Sequence, residues 1–244
     1  MAYILLKSLQ RLSLTTVTVT LAGTIAACAL QPSPQPGQIP QPSETVSPQT
    51  GDSQSLSWSK ILTKVSAPDG WQVNPCDNPL LLCVQENGQL VGTVELIIYS
   101  VKESDFAKML AAAGVSDESF NVKNPKVIDA LRLWVENHYS TVKRDRNSNP
   151  DGKLVFTTTQ PERISVGKLP GLGYKFQTTQ TNGTFFERSV GYVATDGEKL
   201  YVIVAGMTPG DPSGTFAEPV KFSKFEPYLA DIIPALNLPV SKRG

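Results

Sequence analysis

The second half of the chain is built of short apolar runs separated by turn residues. Leu154–Thr159, Arg163–Val166, Tyr174–Thr179, Phe185–Ala194 and Leu200–Ala205 are rich in β-branched and aromatic residues, which predicts strands. Asn182-Gly183 and Asp196-Gly197 stand between them as hairpin turns, which favour residues that tolerate positive φ. Upstream, Leu90–Tyr99 reads as one long strand. It follows the turn signal at Asn87-Gly88-Gln89, with Leu80–Val84 as its partner. Strands joined by tight turns predict a largely antiparallel sheet.

Helical spacing appears in blocks. Ser104 is placed to cap a short helix through Ala113, with Phe106, Met109, Leu110 and Ala113 on one face and Gly114 past its end. Asn124-Pro125 opens a second helix to about Lys143, whose Val127, Leu131, Trp134 and Val142 form one apolar stripe. Phe225–Leu236 predicts a closing helix that packs Leu229, Ile232, Ile233 and Leu236 and is interrupted near Pro234. Helices grouped in this way, and not alternating strictly with strands, predict a single-domain α+β sandwich: a mainly antiparallel sheet flanked by helices.

The N-terminal region follows neither period. Lys7 and Arg11 precede Leu12–Ala27, which carries no charge and ends in small residues, the pattern of a secretory signal. The run is threonine-rich and short for a membrane span. Its end, Ile25-Ala26-Ala27-Cys28, resembles a bacterial lipobox. That likeness implies cleavage before Cys28, a diacylglycerol thioether on its sulfur and an acyl group on the new amine. Several acyl chains hold a protein stably on a membrane surface. Residues 29–55 are rich in Pro, Gln and Ser and nearly free of large apolar side chains, so they cannot offset their ordering entropy by burial. The expected organisation is a signal at 1–27, a lipidated cysteine and tether at 28–55, and one globular domain at 56–240.

Composition narrows the function. The 244 residues hold 22 basic and 22 acidic side chains and are 40% hydrophobic. Zero net charge argues against nucleic acid as a partner. With residues 1–27 removed, 20 basic residues face 22 acidic ones, so covalent lipid and not surface charge would hold the mature chain at a membrane.

Cys76 and Cys83 are six residues apart across the turn Asp77-Asn78-Pro79, which suits a disulfide in an exported protein. Closing so short a loop contributes about 2.5 kcal/mol on the chain-entropy model. A pair of reduced, buried thiols is the alternative. His138, the only histidine, lies on the apolar stripe four residues from Trp134 and Val142. It reads as a half-buried, satisfied side chain, with a metal ligand or catalytic base as the sharper alternative. The sequence holds no Gly-x-Ser-x-Gly elbow, phosphate loop, dinucleotide fingerprint or His-Glu-x-x-His helix. No cofactor is expected. Lys143-Arg144-Asp145-Arg146 reads as a solvated helix end or a docking patch. Glu86, Glu95, Glu162 and Glu187 are expected to face solvent, and Gly171-Leu172-Gly173 to form a turn before a strand.

One set of motifs resembles a known family. Ala67-Pro68-Asp69-Gly70-Trp71 opens the domain. Gly173-Tyr174-Lys175-Phe176, Phe186-Glu187-Arg188-Ser189-Val190-Gly191-Tyr192 and Asp196 to Ala205 follow in order. This sequence of motifs resembles the photosystem II extrinsic PsbP family. The resemblance implies an antiparallel sheet between helices and, for the cyanobacterial members, a lipoprotein on the lumenal side of thylakoids. Its metal positions have no counterpart here, and the Cys76/Cys83 pair and the helix of Asn121–Lys143 depart from it.

The function expected is a membrane-tethered, non-enzymatic accessory or assembly factor with a protein complex as partner. Photosystem II is the complex that the resemblance implies, and the site is the lumenal side of a thylakoid or the periplasmic face of an envelope. A small-ligand or metal-binding envelope lipoprotein, with its site beside His138 and Trp134, is the alternative.

Overall fold

A computed structural model describes residues 56–116, 118, 120–148, 154–210 and 216–240. The signal, Cys28 and the tether lie outside these residues, as does most of the loop expected at 147–152.

The fold is α+β. Its elements in chain order are α1 (Trp58–Ile61), β1 (Trp71–Pro75), β2 (Leu81–Glu86), β3 (Gln89–Ser100), α2 (Phe106–Ala112) and α3 (Pro125–Asn147). There follow β4 (Leu154–Thr158), β5 (Glu162–Val166), β6 (Leu169–Gln180), β7 (Phe185–Thr195) and β8 (Lys199–Met207). The chain closes with α4 (Pro219–Phe225), a 3-10 turn (Glu226–Tyr228) and α5 (Leu229–Ile232). The eight strands form one sheet in the order β1-β2-β3-β8-β7-β6-β4, and β5 pairs with the first half of β6 while β4 pairs with its second half. Every named strand pair is antiparallel.

The sheet is covered on both faces. Along β8, Tyr201, Ile203 and Ala205 join one apolar cluster, and Leu200 and Val202 join another. That alternation is the period-2 geometry of a strand buried on both sides. The first cluster takes in α1, α4 and α5 through Trp58, Ile61, Phe222, Phe225, Leu229 and Ile232. The second takes in α2 and α3 through Phe106, Leu110, Val127, Leu131, Trp134 and Val135. Among the described residues no helix is long and apolar enough to cross a membrane.

Four local expectations change. Ser104 does not cap α2: its hydroxyl donates back to the Val101 carbonyl at 3.1 Å, and Asp105 takes the cap position. Gly171 and Gly173 sit inside β6, where a Cβ at Gly171 would come within 2.6 Å of the Val193 carbonyl oxygen. The closing helix begins earlier, at Pro219, and breaks at Pro227, whose missing N–H ends the α-helical ladder. Finally, Trp71–Pro75 is a strand too short for its alternation to stand out.

Asn124 does cap α3, accepting a hydrogen bond from the Lys126 amide at 3.1 Å. Asn87 and Gly88 take φ of 51° and 77°, the positive values that the tight β2–β3 turn demands.

Candidate functional site

The motif Pro68-Asp69-Gly70-Trp71 folds as a tight turn closed by the Trp71 amide, which donates to the Pro68 carbonyl at 3.0 Å. The turn delivers the Trp71 indole to the end of the sheet. There it lies parallel to the Phe225 ring, 4° apart in plane and 6.4 Å between centroids. Its Nε1 donates to Glu86 Oε1 at 3.0 Å. Two α4 lysines, one turn apart, approach the ring as cations: Lys221 Nζ is 5.9 Å and Lys224 Nζ 5.1 Å from its centroid. Both ammonium groups also reach Glu86, Lys221 at Oε2 and Lys224 at Oε1, the latter at 3.7 Å.

Beside this cluster is a groove of about 330 Å³ between the β2–β3 turn and the start of α4, lined in part by Glu86, Leu90, Glu218 and Lys221. Leu90 is 57% exposed and Val220, next to Lys221, is 75% exposed. Exposed apolar side chains here stand among a carboxylate and two ammonium groups. Glu86 is thus half-buried and paired, where solvent exposure was expected. The lysine spacing in Lys221-Phe222-Ser223-Lys224-Phe225 is the signal that sequence reading missed: apolar residues point inward and cations outward on one short helix.

His138 occupies a different place. Its ring stacks on Trp134 at 5.3 Å and 6°, and meets Tyr174 and Phe176 edge-on at 5.5 and 6.1 Å. Burial among these rings pushes its pKa down to about 4. The same burial holds the Tyr174 phenol well above the usual tyrosine range. His138 Nδ1 and the Tyr174 hydroxyl are buried without a hydrogen-bond partner, so the histidine is half-buried but not satisfied. Among the described residues no group of three or more His, Cys, Asp or Glu is placed to hold a metal. The described neighbours of the imidazole are the Trp134, Tyr174 and Phe176 rings.

At the charged end of α3, Lys143 and Arg144 are exposed, as the solvated reading expects, but Arg146 is half-buried. Its Nε and Nη2 donate to the two Glu187 oxygens at 2.6 and 2.8 Å, and its Nη1 donates to Asp145. Glu187, only 7% exposed, also accepts from the Thr178 hydroxyl. The fork-shaped guanidinium thereby joins the last turn of α3 to β6 and β7. Cys76 and Cys83 are joined in a disulfide.

No protein-family model and no curated protein matches this chain. Among solved structures it is similar to the solution structure of cyanobacterial PsbP (CyanoP) from Synechocystis sp. PCC 6803, at 8% sequence identity and a TM-score of 0.38. That match covers 70% of this chain and 84% of the other. Overlap at this level decides neither fold nor function, and both rest on the residues themselves.

Proposed function

We infer that this chain is an exported, lipid-anchored accessory protein that acts by binding a membrane complex and not by catalysis. The observation that carries the reading is Ile25-Ala26-Ala27-Cys28 behind an uncharged run and ahead of a Pro/Gln/Ser-rich stretch. The Cys76–Cys83 disulfide supports an oxidising compartment. The groove beside Trp71, lined in part by the exposed Leu90, together with the exposed Val220 on α4, supports protein binding. Rings around His138, in place of an acid or a nucleophile, support a non-catalytic role. The motifs from Ala67 to Ala205 make photosystem II the complex to test first, with the lumenal side of a thylakoid as the location and the periplasmic face of an envelope as the second.

Intact mass of the protein extracted from its native membranes tests the anchor. The expected mass is that of residues 28–244 plus a diacylglycerol and an acyl chain, and Cys28→Ala should move the protein out of the membrane fraction. An unmodified Cys28 in membrane-bound protein would overturn the reading.

A further inference from the structure

The disulfide has a second role written in its surroundings. Cys76 lies one residue beyond β1 and Cys83 lies within β2, both half-buried, so the bond closes the loop Asp77–Leu80. That loop is exposed, yet two of its carbonyl groups hold the most buried tryptophan of the molecule. The Trp58 amide donates to the Pro79 carbonyl at 2.9 Å, and the Trp58 indole Nε1 donates to the Leu80 carbonyl at 3.0 Å. Trp58 is 0% exposed and belongs to the core cluster under α4 and α5.

α1, which carries it, has four residues and no side-chain cap. A helix this short does not persist alone, so its order comes from docking. α1 and the residues after it are also tied to the C-terminal segment: the Asn237 amide donates to the Ile61 carbonyl, and the Thr63 and Ser66 hydroxyls donate to the Ala235 carbonyl and to Asp231. The sheet has its own ladder, with β1 paired to β2 over five residues and β2 to β3 on its other side; the loop touches it where the Leu96 amide donates to the Leu80 carbonyl at 2.8 Å.

We propose that the Cys76–Cys83 disulfide is a redox latch for the N-terminal edge of the domain: oxidised, it shapes the loop that seats Trp58, and reduced, it releases α1 while the sheet stays folded. The reductant is a protein or small-molecule dithiol. One of its thiolates attacks a sulfur of the pair and forms a mixed disulfide, and its second thiolate displaces the protein sulfur. The Cys76–Cys83 bond breaks, the reductant's own disulfide forms, and two electrons and two protons pass to give two cysteine thiols. With the anchor at Cys28 proposed above, freeing residues 56–66 lengthens the tether by at most roughly 3.5 Å per residue released.

Hydrogen exchange with mass analysis on the full-length chain in detergent, with and without dithiothreitol, tests the latch whether or not the anchor is present. Reduction should speed exchange in peptides spanning residues 56–64 by about tenfold or more and leave β7 and β8 peptides unchanged. Equal exchange in both states, or loss of protection throughout the sheet, overturns it. Cys76→Ser with Cys83→Ser should match the reduced state and ignore the reagent; a double variant that keeps the oxidised pattern also overturns it. Trp58→Phe gives an independent check, because it removes the indole bond with the disulfide intact. Reduction should then add less in this variant than in the wild type, and an equal increment would show the loop and Trp58 to be uncoupled.

Discussion

A histidine ringed by aromatic side chains has little to stabilise an added proton. The folded protein protonates His138 only near pH 4, because burial disfavours the cation, while the unfolded chain does so near the ordinary value of 6.5. Between those values the unfolded state binds more protons, so stability is full above pH 6.5 and falls as the pH drops toward 4. Cation–π attraction from the Trp134 ring offsets part of the loss, leaving between about 1 and 3 kcal/mol. Urea unfolding of wild type and His138→Leu at neutral pH and at about pH 4.5 checks this: the wild type should lose that much more than the variant. Parallel losses would assign the acid sensitivity elsewhere. The Tyr174 ring nearby constrains Gly191 on the facing strand, since a Cβ there would collide with the ring. Gly191→Ala should therefore cost roughly 1–3 kcal/mol, read as a lower urea midpoint at unchanged slope. The sequence placed His138 on the helix stripe correctly. It did not reveal the missing hydrogen-bond partner, because its ring neighbours Tyr174 and Phe176 come from β6, some 36 residues further along.

Between elements, the pair Arg146–Glu187 ties the last turn of α3 to β7. Their side chains are 18% and 10% exposed, so removing one strands the other in a poorly solvated place. Arg146→Met should destabilise the protein by about 3 kcal/mol, and Arg146→Met with Glu187→Gln by less than the single change. Thermal or urea unfolding of these two variants and of Glu187→Gln alone reads this, and additive losses would contradict the coupling. Much at this scale was legible. Asn87-Gly88, Asn182-Gly183 and Asp196-Gly197 marked three hairpins, and Asn124-Pro125 marked the start of α3, because cap and turn chemistry acts over a few residues. The Arg146–Glu187 pair was hidden, since its partners are 41 residues apart and each looks like an ordinary surface charge. β1 was hidden because five residues carry too short an alternation. The break at Pro227 was legible from the proline itself, and α5 ends at Ile232, just before Pro234 as its ring requires.

At the scale of the described domain, helices pack on both faces of one antiparallel sheet, which leaves its edges and turns the most accessible parts. The groove between the β2–β3 turn and α4 is such a place, with Leu90 and Val220 exposed beside Lys221 and Lys224. The central claim is that this domain serves a membrane complex by binding it. Site-specific photo-cross-linking from position 90 of the full-length, lipid-anchored protein in its native membranes tests that claim most directly. The expected result is a discrete adduct with a subunit of a membrane complex, photosystem II first among those to examine, that is lost in Lys221→Glu/Lys224→Glu. Adducts with lipid alone, or an adduct unchanged by the two substitutions, would contradict it.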